Sequence, residues 1–295
     1  MTITLKSFAK INLFLKVNKS KQSSYHIIIS YFSYLDLCDE ITIIATETDH
    51  DDISIQNKAG QKIEIENNSI SEAISFFYRF HKINKRKFFK IQLIKNIPIA
   101  AGLGGGSSNA ARILCFLHDY YQQPVTKLEL DSILPVLGAD VLFFCNKFSR
   151  FVGGYGESLL KASKYKEYHL LLVNPNIAIS TKEVYQKFDK ICYEKEISSK
   201  FDYNKDPLDL IMLHGNDLLD AANIICPEVK PLLDVMRNID GSLVAQMSGS
   251  GATCFALFEE LQFAQKAKKI IKQKFPDYFV VNSRLLREVD QVAIC

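Results

Sequence analysis

The sequence predicts an α+β protein in two domains, and three observations carry that prediction. Segments whose apolar side chains alternate, as at residues 7–17 and 89–94, predict strands, and segments with helical spacing, as at 69–81 and 110–121, predict helices. In the second half, strands and helices follow one another with no internal repeat. The 295 residues also sit near the size, roughly 250 to 300, at which a single core stops growing. Gly153-Gly154-Tyr155-Gly156-Glu157 breaks the pattern and supplies a boundary, so the expected domains are 1–155 and 156–295.

Taken in order, Ala9, Ile11, Leu13, Leu15 and Val17 form one apolar face of the first strand, with Lys10 and Asn12 together on the other. That pair is either a solvated face or, if the face looks into a cleft, a point charge beside an orienting amide. A polar turn at 18–24 leads to Tyr25-His26 and a β-prone run, Ile27 to Leu37, which includes Phe32, Leu35 and Asp36. Tyr25-His26 serves either packing or recognition. Short strands are expected at 41–46 and 53–56, then a helix over 69–81 with Ile70, Ala73, Ile74 and Phe77 on one face.

The chain is organised around Pro98-Ile99-Ala100-Ala101-Gly102-Leu103-Gly104-Gly105-Gly106-Ser107-Ser108-Asn109, which holds four of the 13 glycines between a strand and an apolar helix. Glycine permits positive φ and close backbone approach, and the first amides of a helix starting near Ser107 lack internal partners. Such a helix start favours an anion. The Walker loop is excluded, because Gly106 is followed by Ser107 and Ser108 rather than by Lys and Ser or Thr. The dinucleotide fingerprint counted from Gly102 fails at position 107, which is serine. A plain glycine hinge is the alternative, and the well-marked strand and helix on either side argue against it.

Leu128 to Leu137 reads as a helix ending at Gly138, followed by Ala139-Asp140 and the apolar run Val141-Leu142-Phe143-Phe144. A carboxylate in front of such a run is costly to bury unless paired. Asp140 is therefore a turn or cap residue, or else a general base or a partner for a lysine such as Lys10. Beyond the boundary the expected elements are a strand at 169–173, a helix at 181–188, an irregular charged stretch at 192–207, and helices at 208–225 and 228–237. A strand at 242–247 then leads to a second glycine loop, Ser248-Gly249-Ser250-Gly251, a strand at 253–258, a basic helix at 261–274 and a strand at 278–282. The second loop is either a tight turn or a second set of amides brought to a phosphate across an interdomain cleft.

Composition sets the outer limits. With 47% hydrophobic and 23% charged residues and a net charge of +3, the chain reads as globular, with no case for a nucleic-acid partner. The basic runs 82–90 and 266–274 read as solvated faces. Seven cysteines, odd in number and without a CxxC pair, fit reduced thiols in a cytoplasmic protein, and neither a disulfide framework nor a zinc site has its usual spacing. No apolar run approaches the roughly 18 residues of a membrane helix, so no membrane association is expected.

Several motifs together resemble the GHMP small-molecule kinases. The loop Pro98 to Ala110 resembles their phosphate loop and Ser248-Gly249-Ser250-Gly251-Ala252 their C-terminal glycine loop. Ala9-Lys10-Ile11-Asn12-Leu13, Tyr25-His26, Phe32 with Leu35-Asp36, Gly138-Ala139-Asp140-Val141, Gly156-Glu157 and Asn216-Asp217-Leu218 follow in family order, in the pattern of the branch that acts on a cytidine-diphosphate-linked sugar alcohol. The resemblance implies a ribosomal protein S5 domain 2-like N-terminal domain and a ferredoxin-like C-terminal domain. It implies ATP as co-substrate with Mg2+ on the nucleotide, residues 98–109 on ATP, Asp140 as base and Lys10 as its electrostatic partner. It also implies Tyr25 and Tyr185 against cytosine, His26 reading its polar edge, and Asn12, Phe32 and Thr181 lining the substrate pocket, with no dedicated metal ligands. Ser23-Ser24, Ala100 and Leu142 depart from the pattern, standing where Asp-Gly, glycine and proline are usual. The alternatives are another GHMP member, such as a homoserine or mevalonate-type kinase, or a non-catalytic nucleotide-binding regulator. The oligomeric state is left open.

Overall fold

Two long strands carry the architecture: β1 (Thr2–Lys19) and β2 (His26–Thr46) pair antiparallel from Thr2↔Ile44 to Lys19↔His26. The computed structural model describes residues 2–19, 26–64, 68–160, 166–191 and 201–290. The two strands expected at 27–37 and 41–46 are one continuous element. Residues 40–44 pair on one side with β1 and residues 40–46 on the other with a later strand, and pairing on both sides overrides the local charged break at Asp39-Glu40.

β3 (Asp52–Asn57), α1 (Ser69–Phe80) and β4 (Phe88–Lys95) follow, with β3 parallel to β4 and β4 antiparallel to β2. Helix α1 begins where the Asn68 side chain accepts from the Ile70 amide, an N-cap. Helix α2 (Gly105–Tyr121) starts two residues earlier than the sequence predicts, behind Gly104 at φ +70°. Helix α3 (Lys127–Leu137) is capped by Thr126 and ends, as expected, at Gly138 (φ +101°), which any other residue would strain. The apolar run after it forms the short helix α4 (Asp140–Phe144), with Asp140 in its first turn. The Gly153–Glu157 segment turns β5 (Arg150–Gly153) back onto β6 (Ser158–Leu159).

The second half holds β7 (His169–Asn174), α5 (Thr181–Ile191), α6 (Pro207–His214), α7 (Leu219–Ile225), α8 (Val229–Arg237), β8 (Val244–Met247), β9 (Cys254–Phe258), α9 (Leu261–Lys274) and β10 (Phe279–Leu286). Strand order is β3-β4-β2-β10-β7-β9-β8, so β10 joins the two halves through Leu285↔Leu35 and Leu286↔Tyr34. The single helix expected over 208–225 is two. Gly215 (φ +62°) ends α6, and Gly215 to Asp217 detour to β1, where Leu15 N donates to Gly215 O and Asp217 N to Leu15 O, both at 2.9 Å. These tertiary bonds outweigh continued helix.

Apolar residues collect in three groups. One lies under α1 to α4 on β2 and β4, one under α5 and α7 to α9 on β7 to β9, and one between, built from Ala9, Ile11, Leu13 and Phe14 of β1 against Leu170, Leu172, Phe255 and Leu257. β1 is buried on both faces here, and its bulges at Phe8/Lys10 and Asn12/Leu15 redirect its side chains. Lys10 and Asn12 are 4% and 3% exposed, which rules out the solvated-face reading. The five cysteines among the described residues form no disulfide.

A buried ion pair fixes the exit of β4. The Asp39 carboxylate, 0% exposed, accepts from the Asn96 and Ile97 amides at 2.8 and 2.9 Å and from the Lys95 ammonium. Asp39→Ala would leave a buried charge and two amides without partners, so we expect a loss of about 3–5 kcal/mol in equilibrium urea unfolding. A loss under about 1 kcal/mol would mean that water reaches the pair.

Candidate active site

The first glycine loop is held by backbone contacts on three sides. Lys10 N donates to Leu103 O at 3.0 Å, and Thr253 Oγ1 donates to Ala101 O at 2.6 Å. Gly102 (φ +73°) presses so closely on the second loop that a Cβ there would lie 2.9 Å from Gly251 O and 3.1 Å from Ser248 O. A Cβ on Gly104 would meet the Phe144 ring at 2.7 Å. Glycine is required at both positions by space as well as by φ.

No side chain caps α2, so its first amides are left for an external acceptor. They border a cavity of ≈ 300 Å³ lined by Pro98 to Ser107 and Asn109. Ser108 takes no part in the lining; it is buried, and its hydroxyl accepts from Ser7 Oγ at 2.7 Å. The wall is completed by Asn68, Ser69 and Lys95, which sequence reasoning did not single out. The signal was available for the first two, since Asn68-Ser69 opens a predicted helix.

A second cavity of ≈ 250 Å³ adjoins the same loop and brings together Lys10, Asn12, Phe32, Asp140, Thr181 and Tyr185 with Gly102 and Gly104. Lys10 Nζ lies 3.3 Å from Asp140 Oδ2, donates to Asn12 Oδ1 at 2.7 Å and sits 4.5 Å above the Phe32 ring centre. The lysine side chain is 6% exposed and the aspartate 31%, so the cation is fixed inside while the carboxylate faces the cleft. Phe32, 1% exposed, serves as the platform under Lys10. Asn12 is tied on two sides: its amide N donates to Ser248 Oγ and its Nδ2 to Ser30 Oγ, each at 3.0 Å.

The opposite wall comes from α5. Thr181 Oγ1 and Ser250 Oγ are 3.0 Å apart, which joins α5 to the second loop. Burial, with the Asp140 charge adding to it, pushes the Tyr185 phenol well above its ordinary pKa, so this hydroxyl stays protonated. The His26 ring packs 4.6 Å from Tyr185, and its Nε2 lies 2.8 Å from Asp189 Oδ1. Tyr25 lies outside the described residues. Asn216 explains part of the Asn-Asp-Leu motif: its Nδ2 donates to Met247 O and Gly249 O at 2.8 and 2.9 Å and so holds the second loop.

Comparison with known proteins finds relatives over nearly the full chain. The profile for the GHMP kinases N terminal domain matches residues 68–146, and that for GHMP kinases C terminal matches residues 205–277. The 4-diphosphocytidyl-2-C-methyl-D-erythritol kinase of Wolbachia pipientis wMel is 32% identical over 287 residues, covering 96% of this chain and 98% of its own length. The enzyme of that name from Anaplasma phagocytophilum (strain HZ) is 29% identical over 289 residues, covering 96% and 94%. A crystal structure of 4-(cytidine 5'-diphospho)-2C-methyl-D-erythritol kinase superposes with a TM-score of 0.74 at 25% identity, over 95% of this chain and 99% of that one. A homoserine kinase from Cytophaga hutchinsonii ATCC 33406, with a TM-score of 0.68 at 16% identity over 97% and 95%, shares the fold.

Two substitutions in the first loop should differ in the size of their effect. Gly102→Ala adds a clash with carbonyl oxygens to a left-handed φ, and we expect at least a tenfold weaker affinity for ATP together with a lowered Tm. Ala100 already holds φ +53°, so Ala100→Gly should leave ATP affinity within about twofold. Isothermal titration of ATP into each variant checks both, and equal affinities would remove the packing at Gly102 from the account.

Proposed function

This chain belongs to the GHMP kinases and, within them, to the 4-diphosphocytidyl-2-C-methyl-D-erythritol kinase family, and from that premise we propose how its cleft works. The reaction is ATP-dependent phosphorylation of the 2-hydroxyl of 4-diphosphocytidyl-2-C-methyl-D-erythritol, a step of the non-mevalonate route to isoprenoid precursors. One observation carries the assignment of roles: Lys10 and Asp140 pair at 3.3 Å in a cavity that also touches Gly102 and Gly104 of the loop.

Phosphoryl transfer asks mainly for positioning and for charge placed where charge develops. In our reading the free amides at the start of α2 hold the β- and γ-phosphates, with residues 98–109 forming the cradle. Asp140 accepts the proton of the attacking hydroxyl. The Lys10 ammonium keeps that carboxylate ionised and offsets charge on the transferring group. Its own position is fixed by Asn12 below and Phe32 behind.

Recognition of the cytidine end falls to Tyr25, Tyr185 and His26. Stacking on tyrosine tolerates any base, so selectivity for cytosine needs a polar group, and His26 supplies it. Asn12 and Thr181 line the pocket for the sugar alcohol. Mg2+ fits as a passenger on the triphosphate, where it would add positive charge. Among the described residues Asp140 is the one carboxylate lining either cavity. A cytoplasmic setting suits the ATP requirement and the free cysteines, and no described helix is long and apolar enough to cross a membrane.

The test is ATP consumption with the cytidyl substrate against homoserine and mevalonate, where turnover should be confined to the first. Asp140→Asn should lower kcat roughly 100- to 10,000-fold with ATP affinity nearly unchanged; a kcat within threefold of the parent would remove Asp140 as base. His26→Ala should raise KM for the cytidyl substrate at least tenfold and leave KM for ATP alone. Equal rises in both would point to a folding defect instead.

A further inference from the structure

Three helices meet at a polar cluster that has no part in the chemistry above. His81 is the C-cap residue of α1, His118 lies in the last turn of α2 and Glu129 in the first turn of α3. Each offers one ligand atom, and these atoms lie within 4.8 Å of one another. Glu129 Oε1 is 3.0 Å from His81 Nε2 and 2.8 Å from His118 Nε2. The side chains are 0%, 9% and 3% exposed for Glu129, His81 and His118.

Hydrogen bonding leaves this cluster incomplete at one buried atom and depends on a shared positive charge at another. His118 Nδ1 lies 3.0 Å from Gln123 O. A carbonyl only accepts, so Nδ1 carries the hydrogen, and a neutral ring then points the lone pair of Nε2 at Glu129 Oε1. Nε2 and Glu129 Oε1, 2.8 Å apart, must share something positive: either a proton, since against burial the bond to Glu129 raises the His118 pKa, or a metal cation. Independently, Glu129 Oε2 is buried without a hydrogen-bond partner, a costly state for a carboxylate oxygen. An imidazole whose second nitrogen donates to a backbone carbonyl is also the usual state of a metal-ligating histidine.

We propose that His81, His118 and Glu129 bind a divalent transition-metal ion, zinc by the chemistry of the donor set, which staples α1, α2 and α3 together. Two imidazole nitrogens and a carboxylate with one position left for water form a typical zinc set, whereas Mg2+ and Ca2+ prefer oxygen donors throughout. Bonds of about 2.0–2.1 Å at tetrahedral angles put ligand atoms about 3.3 Å apart, so the two Glu129 contacts would open by about 0.3–0.5 Å, while the two imidazole nitrogens, within 4.8 Å of each other, would close by up to about 1.5 Å. A hollow lined by Phe80, His81, Tyr121 and Gln123 gives access from solvent. His118 follows Gly105 by 13 residues of one helix, about 20 Å at 1.5 Å per residue, so the ion would fix the far end of α2 and stay clear of the phosphates.

The experiment uses the full chain, stripped with chelator and titrated with ZnCl2 by calorimetry and with CoCl2 by visible spectroscopy. We expect one ion per chain, a cobalt spectrum of nitrogen and oxygen ligation, no heat from MgCl2, and a Tm raised by about 5 °C with zinc at a hundredfold excess over Kd. His81→Ala, the substitution nearest the surface, should lose the ion, while His50→Ala, with a side chain 71% exposed, should keep it. No saturable binding by the parent, or equal binding by His81→Ala, would overturn the site and leave a hydrogen-bonded clasp with a protonated His118. The readout is independent of kinase turnover, so it stands or falls apart from the proposed reaction.

Discussion

The cleft depends on two backbones touching. At Gly102 the first glycine loop lies against the carbonyls of Ser248 and Gly251, and no side chain fits between them. That contact joins segments almost 150 residues apart, and other bonds keep it in register: Thr253 to Ala101 O, Asn12 N to Ser248 Oγ, and the Asn216 amide on Met247 O and Gly249 O. β1 is part of the same construction, since it carries Lys10 and Asn12 on one stretch and is tied to Gly215 and Asp217 on the next. First loop, Lys10 and second loop are therefore placed by one connected set of hydrogen bonds to the backbone, and none of them can shift alone.

Among the described residues two lysine–aspartate pairs have a buried lysine, and they differ in how the carboxylate is placed. Lys95–Asp39 is closed: both side chains are at most 6% exposed, and the carboxylate is saturated by the ammonium and two amides. The carboxylate is committed to these partners, while the Lys95 side chain also borders the cavity at the first loop. Lys10–Asp140 is open on one side, with the lysine anchored by Asn12 and Phe32 and the aspartate 31% exposed to the cleft. A buried ion pair is weak evidence for stability, and a half-open one has a more natural explanation in a charge held ready for a reactant.

How much of this was legible in the sequence depended on whether the cause was local. The glycine loop, α1, α3 with its Gly138 stop, α9 and the strand alternation of β4 follow from neighbouring residues, and each forms where expected within a residue or two. The break between α6 and α7 was hidden, because Asn216 and Asp217 leave the helix for partners in β1 and the second loop that no local pattern encodes. The unity of β2 was hidden for the same reason. At the site, alternation placed Lys10 and Asn12 on one face but could not say that the face is buried, and it could not bring Lys95 to the cavity at the first glycine loop. The His81, His118 and Glu129 trio lies beyond any spacing rule, since its members sit 11 and 48 residues apart on three helices.

Two departures from the family pattern can be weighed physically, while Ser23-Ser24 lies outside the described residues. Ala100 takes φ +53°, a conformation that costs a residue with a Cβ about 1–2 kcal/mol relative to glycine. The loop nevertheless holds its course, because Leu103 O, Ala101 O and Gly102 are fastened from outside and position 100 is exposed. Leu142 stands where proline is usual, two residues beyond Asp140, and its side chain is 7% exposed in the core beneath α4. Packing then does the work that a fixed φ would do, pinning α4 from below while Phe144 abuts Gly104. Both substitutions replace a local constraint by a tertiary one, and the distance that matters, from the Lys10 ammonium to the Asp140 carboxylate, is set by neither residue but by the strands and helix that carry the pair.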